Sequence, residues 1–291
     1  MDALQLLVSG LANGCVYGLI AMGFVLIYKA TEAINFAQGD MMMLGAFVAL
    51  GFTNDHYWAL PFWVSVPLAL IVMGLVGYLI DAVLLRRMIG QSQIAVVILT
   101  IALGFVMRFG AGAIWGHEPQ SLESPFAGRE VRFGGLVLGL DELMVVIVTI
   151  LLTVAMYFFF ARTKLGVAMQ AASQNQMAAY YMGISVKRIA SSVWALAGVV
   201  AAIAGILFAS KGSIDPATGL LGIKAFAAAV IGGLGSLPGA LLGGILIGVV
   251  EPLSARYLGG DIARLMPYIF LVLILLFRPH GLLSQTMTKK V

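Results

Sequence analysis

The side chains that could carry chemistry in this 291-residue sequence are few and widely spaced. The three histidines stand far apart, at His56, His117 and His280. They lack the spacing of a metal site. A Gly-x-x-x-x-Gly-Lys-Ser/Thr phosphate loop is absent, and its nearest approach, Gly219 to Lys224, has the wrong spacing. We therefore predict no catalytic residue, no metal and no cofactor, and we do not expect this chain to hydrolyse ATP.

Ionisable residues inside apolar stretches are the remaining candidates. They are Asp81, Arg108, Lys224 and Glu251. Burying such groups in apolar surroundings is costly, so they are functional candidates by default. Asp81 and Glu251 lie near enough to predicted helix ends to reach water or Arg256, which favours a structural role. The sequence contains no chain of acids spaced for proton relay, and this argues against a proton-driven carrier.

The overall composition is that of a membrane protein. Hydrophobic residues make up 61% of the sequence and charged residues 10%, whereas about a quarter of a soluble domain is charged. This scarcity of charge excludes a soluble enzyme, a nucleic-acid binder and a disordered linker. The 35 glycines allow transmembrane helices to approach closely. We predict an all-α, polytopic helical membrane protein, with 1–291 as one transmembrane domain in contact with the lipid bilayer.

Apolar segments predict about nine membrane segments, within a range of roughly eight to ten. They span 3–28, 41–53, 61–84, 94–115, 143–161, 191–210, 219–233, 238–256 and 262–278. A helix needs about 20 apolar residues to cross a bilayer. The segments 41–53 and 219–233 are shorter, so we predict that they are half-helices or elements buried within the protein.

Lysine and arginine predict the orientation, because cytoplasmic loops are enriched in them. Those on the predicted cytoplasmic side are Lys29, Arg86, Arg87, Arg162, Lys164, Lys187, Arg188, Arg278, Lys289 and Lys290. Those on the predicted external side are Arg129, Arg132, Lys211, Arg256 and Arg264. The N-terminus is then external, the C-terminus cytoplasmic, and 116–142 the largest external loop. This arrangement requires 219–233 to count as a membrane crossing. The turn 232–239 would then be cytoplasmic, although it carries no basic residue.

Two regions share one plan. The first runs from a glycine-spaced helix into the polar break Asn35–Asp40 and then into a short apolar segment. The second runs from a small-residue helix into the break Asp215–Gly219 and the other short segment. With the first break toward the cytoplasm and the second toward the outside, this is the pattern of an inverted repeat. Its halves would be 3–115 and 191–278; chance similarity between glycine-rich helices is the alternative.

Irregular backbone at membrane depth must be buried in protein or line a cavity. Asn35 or Asp40, and Asp215, can cap a helix start, and Pro216 fits a first-turn position. We expect the half-helices to border a translocation pathway, with capping at the membrane surface as the alternative. The residues assigned to this pathway are Asn35, Phe36, Gln38, Gly39, Asp40, Asp215, Pro216 and Gly219.

Three stretches resemble the permease subunits of branched-chain amino acid (high-affinity Leu/Ile/Val) ABC importers. They are Ile34–Asp40 followed by Gly45 and Phe47, Lys224–Ala240, and Arg278–Leu283. The resemblance covers essentially the whole chain and is to the first permease of the pair. It implies an all-helical permease of the bacterial plasma (inner) membrane. It also implies a second homologous permease, two cytoplasmic ATPase subunits and an external, periplasmic solute-binding protein as partners.

Both the residue pattern and the family resemblance bear on the loop 162–190. Its alanine-rich stretch 167–182 favours a helix, which Gly183 should end. The resemblance implies the coupling helix that takes up ATPase motion, whereas a helix lying on the membrane is the alternative. The residues assigned to coupling are Gly166, Ala171, Ala172, Asn175, Ala178 and Gly183. The sequence departs from the family pattern at Gln170, where relatives commonly carry a basic residue.

The leading interpretation is a permease subunit of an ATP-binding-cassette importer that moves branched-chain amino acids or related small solutes inward. The solute stays open, because related permeases serve urea, short amides and other small organic molecules. A stand-alone channel or secondary transporter for a small polar solute is the alternative, and it predicts an ion-binding or proton-relay site that the sequence does not contain. A membrane-anchored scaffold is a third hypothesis, but it gives the broken helices no purpose.

Overall fold

The computed structural model describes residues 2–88, 90–133 and 136–283. The α-helices are α1 (Asp2–Thr31), α2 (Gln38–Thr53), α3 (Phe62–Leu79), α4 (Gln93–Trp115), α5 (Leu140–Arg162), α6 (Lys164–Gln174), α7 (Gln176–Tyr181), α8 (Val186–Lys211), α9 (Leu221–Gly232), α10 (Leu237–Leu258) and α11 (Gly260–Phe277). The strands are β1 (Gln120–Ser121), β2 (Glu130–Phe133), β3 (Leu136–Gly139) and β4 (Ser213–Ile214). Lys289 and Lys290, predicted to be cytoplasmic, lie outside the described residues.

Among the described helices, seven are long and apolar enough to cross a membrane: α1, α3 with its continuation to Met88, α4, α5, α8, α10 and α11. The continuation of α3 is a π-helical turn, Ile80–Leu84, and a 3-10 turn, Leu85–Met88. Of the described helices that are too short to cross, α2 and α9 are the two segments predicted to be half-helices, and α6 and α7 lie in the loop 162–190. The predicted fold class, a polytopic helical membrane protein, is confirmed.

One end of the molecule, which we call the first face, gathers the start of α1, the end of α4, the start of α5 and the end of α8. Gln5 Nε2 donates to the Val137 carbonyl at 2.7 Å, and Lys211 Nζ lies 3.3 Å from the Glu142 carboxylate. β1 pairs antiparallel with β4, and β2 pairs antiparallel with β3. The predicted external loop, 116–142, therefore begins and ends at the first face.

The opposite end, the second face, contains the ends of α1 and α5 together with α6 and α7. On α6, Gln170 Nε2 donates to the Phe160 carbonyl at 3.3 Å. Met169 of the same helix and Lys29 of α1 line one narrow recess. The loop predicted to be cytoplasmic thus folds back onto the helices that it joins.

α1 is the central helix of the fold. In the apolar stretch of α1 that is long enough to cross a membrane, 89% of the residues are buried, whereas the corresponding value for α11 is 11%. Its glycines allow α10 to run antiparallel to it at backbone contact, with Gly10 beside Gly248 and Gly18 beside Leu241. A Cβ added at Gly248 would lie 2.2 Å from the Cα of Gly14. The small residues therefore set the distance between these two helices.

Both halves of the chain have the same order of elements. α1 is followed by the break 32–37, the short helix α2, and the long helices α3 and α4. α8 is followed by the break 212–220, the short helix α9, and the long helices α10 and α11. This order agrees with the plan expected of a repeat, while a twofold relation between the halves stays a prediction.

The helix predicted over 167–182 is divided in two, which corrects that prediction. The backbone of Asn175 is extended, with φ −157°, and its side chain accepts the Ala178 N–H at 3.0 Å as the cap of α7. The amide side chain satisfies the backbone outside a helix, and this competes with the propensity of the surrounding alanines. The predicted stop is confirmed, since Gly183 has φ +82°, the left-handed conformation that favours glycine.

Adding a methyl group at Gly14 should push α1 away from α10, because the new Cβ would lie 2.7 Å from the Ile245 Cα. We expect Gly14→Ala to cost about 1–3 kcal/mol of stability, seen as a lower melting temperature of the detergent-solubilised protein. The control is Gly110→Ala on α4, where a Cβ meets nothing within 4 Å. Equal melting temperatures for both variants would contradict the tight α1–α10 contact.

A candidate translocation site where two half-helices meet

The first half-helix, α2, begins in the interior rather than at a face. Gln38, at its start, is fully buried and donates through Nε2 to the carbonyl of Ala197, near the middle of α8, at 3.3 Å. The N–H of Phe36 donates to the hydroxyl of Thr100 on α4 at 3.2 Å. The far end of α2 reaches the first face, where the Phe47 ring stacks 5.6 Å from that of Trp115. The break 32–37 therefore leads the chain from the second face into the core.

The break that precedes α2 satisfies its own polar groups. Asn35 Oδ1 accepts the Ala37 N–H at 3.1 Å, and Asn35 Nδ2 donates to Gln38 Oε1 at 3.2 Å. Ala37 is the N-cap, and no side chain caps the helix. The predicted cap by Asn35 or Asp40 is therefore wrong: Asn35 forms a local turn, and Asp40 lies inside the first turn of α2 with another partner.

The second half-helix begins with the predicted cap. Asp215 accepts the Thr218 N–H at 2.8 Å, and the Thr218 hydroxyl accepts the Asp215 N–H at 3.0 Å, which is a reciprocal capping box. Pro216 occupies the first position, where no donor is lost. A 3-10 turn, Pro216–Leu220, then leads into α9. Because α10 starts toward the second face, α9 runs from the interior toward that face.

The N-terminal ends of the two half-helices meet inside the protein. A Cβ added at Gly39 of α2 would lie 2.2 Å from the carbonyl oxygen of Gly219 and 2.6 Å from the Cα of Gly222. Only glycine permits this approach. A helix N-terminus carries a partial positive charge, so two like ends face each other inside the protein.

A buried carboxylate lies at this junction. Asp40 is 4% exposed, and its two oxygens are enclosed by Gly219 on one side and by Gly104 of α4 on the other. Arg108 of α4 donates to Asp40 Oδ1 from Nε at 3.0 Å and from Nη2 at 2.9 Å. The carboxylate thus places a negative charge between two positive helix ends and ties α4 to both.

All the residues predicted for the pathway lie at this junction or in the two chain segments, 32–37 and 212–220, that lead to it. The buried ones are Asn35, Gln38, Gly39, Asp40, Pro216 and Gly219, and the half-buried ones are Phe36 and Asp215. Sequence reasoning missed the partner of Asp40. Arg108 was recognised as ionisable, but it lies 68 positions away from Asp40, and no local pattern pairs the two.

The other ionisable residues of the apolar segments are also paired. Lys224 Nζ donates to Glu251 Oε1, and the hydroxyl of Tyr17 donates to the other carboxylate oxygen at 3.2 Å. This cluster links α9, α10 and α1. Asp81 accepts the Ser191 hydroxyl at 2.6 Å. Lys224 on the half-helix is thus a partner of Glu251 that sequence reasoning did not identify.

The residues assigned to coupling lie at the second face, on α6 and α7 or directly beside them. Gly166 and Ala172 are buried, Ala171 is half-buried, and Asn175, Ala178 and Gly183 are exposed. A Cβ at Gly166 would lie 2.2 Å from the carbonyl oxygen of Phe159, so α6 packs directly on the end of α5. α7 and the residue after it present large exposed side chains instead: Met177, Tyr180, Tyr181 and Met182 are 67–82% exposed.

Removing Arg108 should leave the Asp40 carboxylate buried without its cation. We expect Arg108→Met to cost about 3–5 kcal/mol and to lower the melting temperature in detergent. Adding Asp40→Asn to it should recover part of this loss, because the unpaired charge is removed. Arg87→Met, at an exposed position on the second face, is the control. No difference between the Arg108 and Arg87 variants would show that the ion pair contributes no stability.

Comparison with known proteins agrees with this architecture. The profile of the family described as "Branched-chain amino acid transport system / permease component" matches residues 6–276. The high-affinity branched-chain amino acid transport system permease protein BraD of Pseudomonas aeruginosa is 33% identical, over 99% of this chain and 98% of its own. The corresponding protein LivH of Escherichia coli is 30% identical, over 99% and 97%.

A solved structure shares the fold. The structure described as PsaBC from Streptococcus pneumoniae in complex with Fab superposes with a TM-score of 0.52, over 94% of this chain and 91% of its own, at 15% identity. At that identity the likeness concerns the fold alone. The family match spans both half-helices and all seven long helices. The chain therefore belongs to the permease component family of branched-chain amino acid transport systems.

Proposed function

We propose that this chain is a permease subunit of an ATP-binding-cassette importer that moves branched-chain amino acids or related small solutes inward across the plasma membrane. The observation that carries the proposal is the family match over residues 6–276, which includes both half-helices. Discontinuous helices that meet in the protein interior are where transporters commonly place their solute pathway. The junction at Asp40 and its two approaches would border that pathway.

We assign the second face to the cytoplasm and the first face to the outside. Arg162 and Lys187 flank α6 and α7 at the second face, in accord with the enrichment of basic residues in cytoplasmic loops. The N-terminus is then external and the C-terminus cytoplasmic. The halves 3–115 and 191–278 would be inverted repeats, each with one half-helix that starts at the junction and runs to a different face.

The proposed partners follow from the two faces. A second homologous permease would complete the membrane pathway, and a solute-binding protein would deliver solute at the first face. Two ATPase subunits would bind at the second face, where α7 presents Tyr180, Tyr181 and Met182 to a groove on another protein. Motion there would pass through α6 to the end of α5, because Gly166 is in backbone contact with Phe159.

A stand-alone channel or secondary transporter is the less favoured function. The relatives that span nearly the whole chain are permease proteins of transport systems. Asp81, Arg108, Lys224 and Glu251 are already paired within the fold, in Asp81–Ser191, Asp40–Arg108 and Lys224–Glu251. Such pairs are separate, so they do not form a continuous proton relay through the described residues.

The proposal is tested by isolating the chain from its native membranes in mild detergent and identifying the proteins that co-purify by mass spectrometry. We expect two ATPases and a second permease. Reconstituted into vesicles with the binding protein, this assembly should accumulate leucine, isoleucine or valine only when ATP is supplied. A chain that purifies alone and moves these solutes without ATP would overturn the proposal in favour of a stand-alone carrier.

Replacing Gly183 by valine should uncouple ATP hydrolysis from transport. Its φ of +82° is costly for a side chain by about 1–2 kcal/mol, so the end of α7 should change direction. We expect reduced solute uptake per ATP hydrolysed in reconstituted vesicles, with normal membrane insertion. Gly116→Val also places a side chain at a positive φ (+91°), at the first face, and should leave the ratio unchanged. An unchanged ratio in both variants would refute the placement of the coupling helix.

A further inference from the structure

An open cavity lies beside the second half-helix, toward the first face. Its volume is about 520 Å³, and it is bounded by the end of α8, by the 3-10 turn and start of α9, and by α11. Phe208, Leu221 and Ile223 form an apolar wall, whereas Lys224 and Tyr268 contribute polar groups. The cavity is thus neither a uniformly apolar lipid-facing surface nor a uniformly polar one.

Lys224 lines this cavity, and its ion-pair partner Glu251 stands next to it; both side chains are accessible. The side chains of Lys224 and Glu251 are 20% and 21% exposed, although they stand in segments of membrane depth. An exposed charge at that depth is tolerated where it faces a water-filled cavity rather than lipid. An accessible charge pair at this depth therefore favours an aqueous cavity over a lipid-facing surface.

Tyr17 of α1 contacts both members of the ion pair. The Tyr17 hydroxyl donates to Glu251 Oε2 at 3.2 Å, while Lys224 Nζ donates to Oε1. The Lys224 ammonium also lies 6.0 Å from the centre of the Tyr17 ring, a distance at which the ring face attracts a cation. One carboxylate and one ammonium are thus fixed side by side, next to the apolar wall.

On the basis of the proposed function, we propose that this cavity is a transient binding site for the zwitterion of an apolar α-amino acid. Lys224 binds the α-carboxylate, Glu251 binds the α-ammonium, and the wall of Phe208, Leu221 and Ile223 takes the aliphatic side chain. When the Lys224–Glu251 pair opens, the carboxylate of the solute takes the place of Glu251 beside Lys224. The ammonium of the solute takes the place of Lys224 beside Glu251. No bond is made or broken in this step.

The internal ion pair also explains why such a site would be weak. The solute must compete with the contact between Lys224 and Glu251, so part of its binding energy is lost in opening that contact. A pathway needs binding that is favourable enough to enter and weak enough to leave. Asp215, which also borders the cavity, is engaged as a helix cap by Thr218 and is therefore a poorer acceptor for the ammonium.

Chemical modification tests occupancy directly in the assembled transporter. Ile223 is half exposed in the cavity wall, so Ile223→Cys should react with a charged methanethiosulfonate, whereas the natural Cys15 is buried. We expect millimolar leucine, without ATP, to slow this reaction. Isoamylamine and 4-methylpentanoate, which each lack one charge, should not. His56→Cys, exposed outside the cavity, is the control and should react equally with and without leucine.

Charge variants separate binding from stability. Losing one charged hydrogen bond should reduce leucine uptake by Lys224→Met or Glu251→Gln about tenfold at low solute concentration. The exchange Lys224→Glu with Glu251→Lys should restore the melting temperature but not uptake, because the charges then stand on the wrong sides of the apolar wall. Lys211→Met, which breaks an ion pair outside the cavity, should leave uptake unchanged.

The outcomes distinguish this inference from the proposed function. If the natural assembly imports leucine but leucine does not slow the modification of Ile223→Cys, the cavity site alone is overturned. Uptake that recovers together with stability in the charge exchange would also overturn it, since the pair would then be structural. An assembly that imports no branched-chain amino acid at all would overturn the proposed function and, with it, this site.

Discussion

Two helix N-termini that meet inside the protein are the constraint on which this fold depends. Each end carries about half a positive charge. The Asp40 carboxylate lies between them, and its own burial is tolerated because Arg108 donates to it twice. α2, α9 and α4 therefore share one electrostatic centre. A change in any of the three alters the balance at the other two.

Close backbone packing keeps this centre in position. A Cβ at Gly205 of α8 would lie 2.0 Å from the carbonyl oxygen of Met42 on α2, and one at Gly45 would lie 2.5 Å from the Cα of Ala202. α2 is thereby fixed along α8, as α10 is fixed along α1. Such contacts leave little freedom inside the bundle, whereas α7 at the second face is largely exposed. Movement is more easily imposed from that face than generated in the core.

Local signals were readable in the sequence, and distant pairings were not. The half-helices followed from their apolar length, and the cap at Asp215 followed from a residue and a proline that are neighbours in the chain. The partner of Asp40 was missed because Arg108 belongs to another helix, and a charged residue does not by itself indicate which distant residue it meets. The division at Asn175 was missed because the helix propensity of the alanines was summed over the whole stretch, while one side-chain cap decided it.

The turn 232–239 shows how the fold accounts for a feature that the sequence left unexplained. It carries no basic residue, although the orientation we assign makes it cytoplasmic. In the structure the Leu282 N–H donates to the Ile231 carbonyl at 2.9 Å, and the Leu283 N–H donates to the Gly232 carbonyl at 3.1 Å. The segment that begins with Arg278 therefore lies against this turn. Two stretches that resemble the family separately thus pack together, and the second of them contributes the basic residue Arg278.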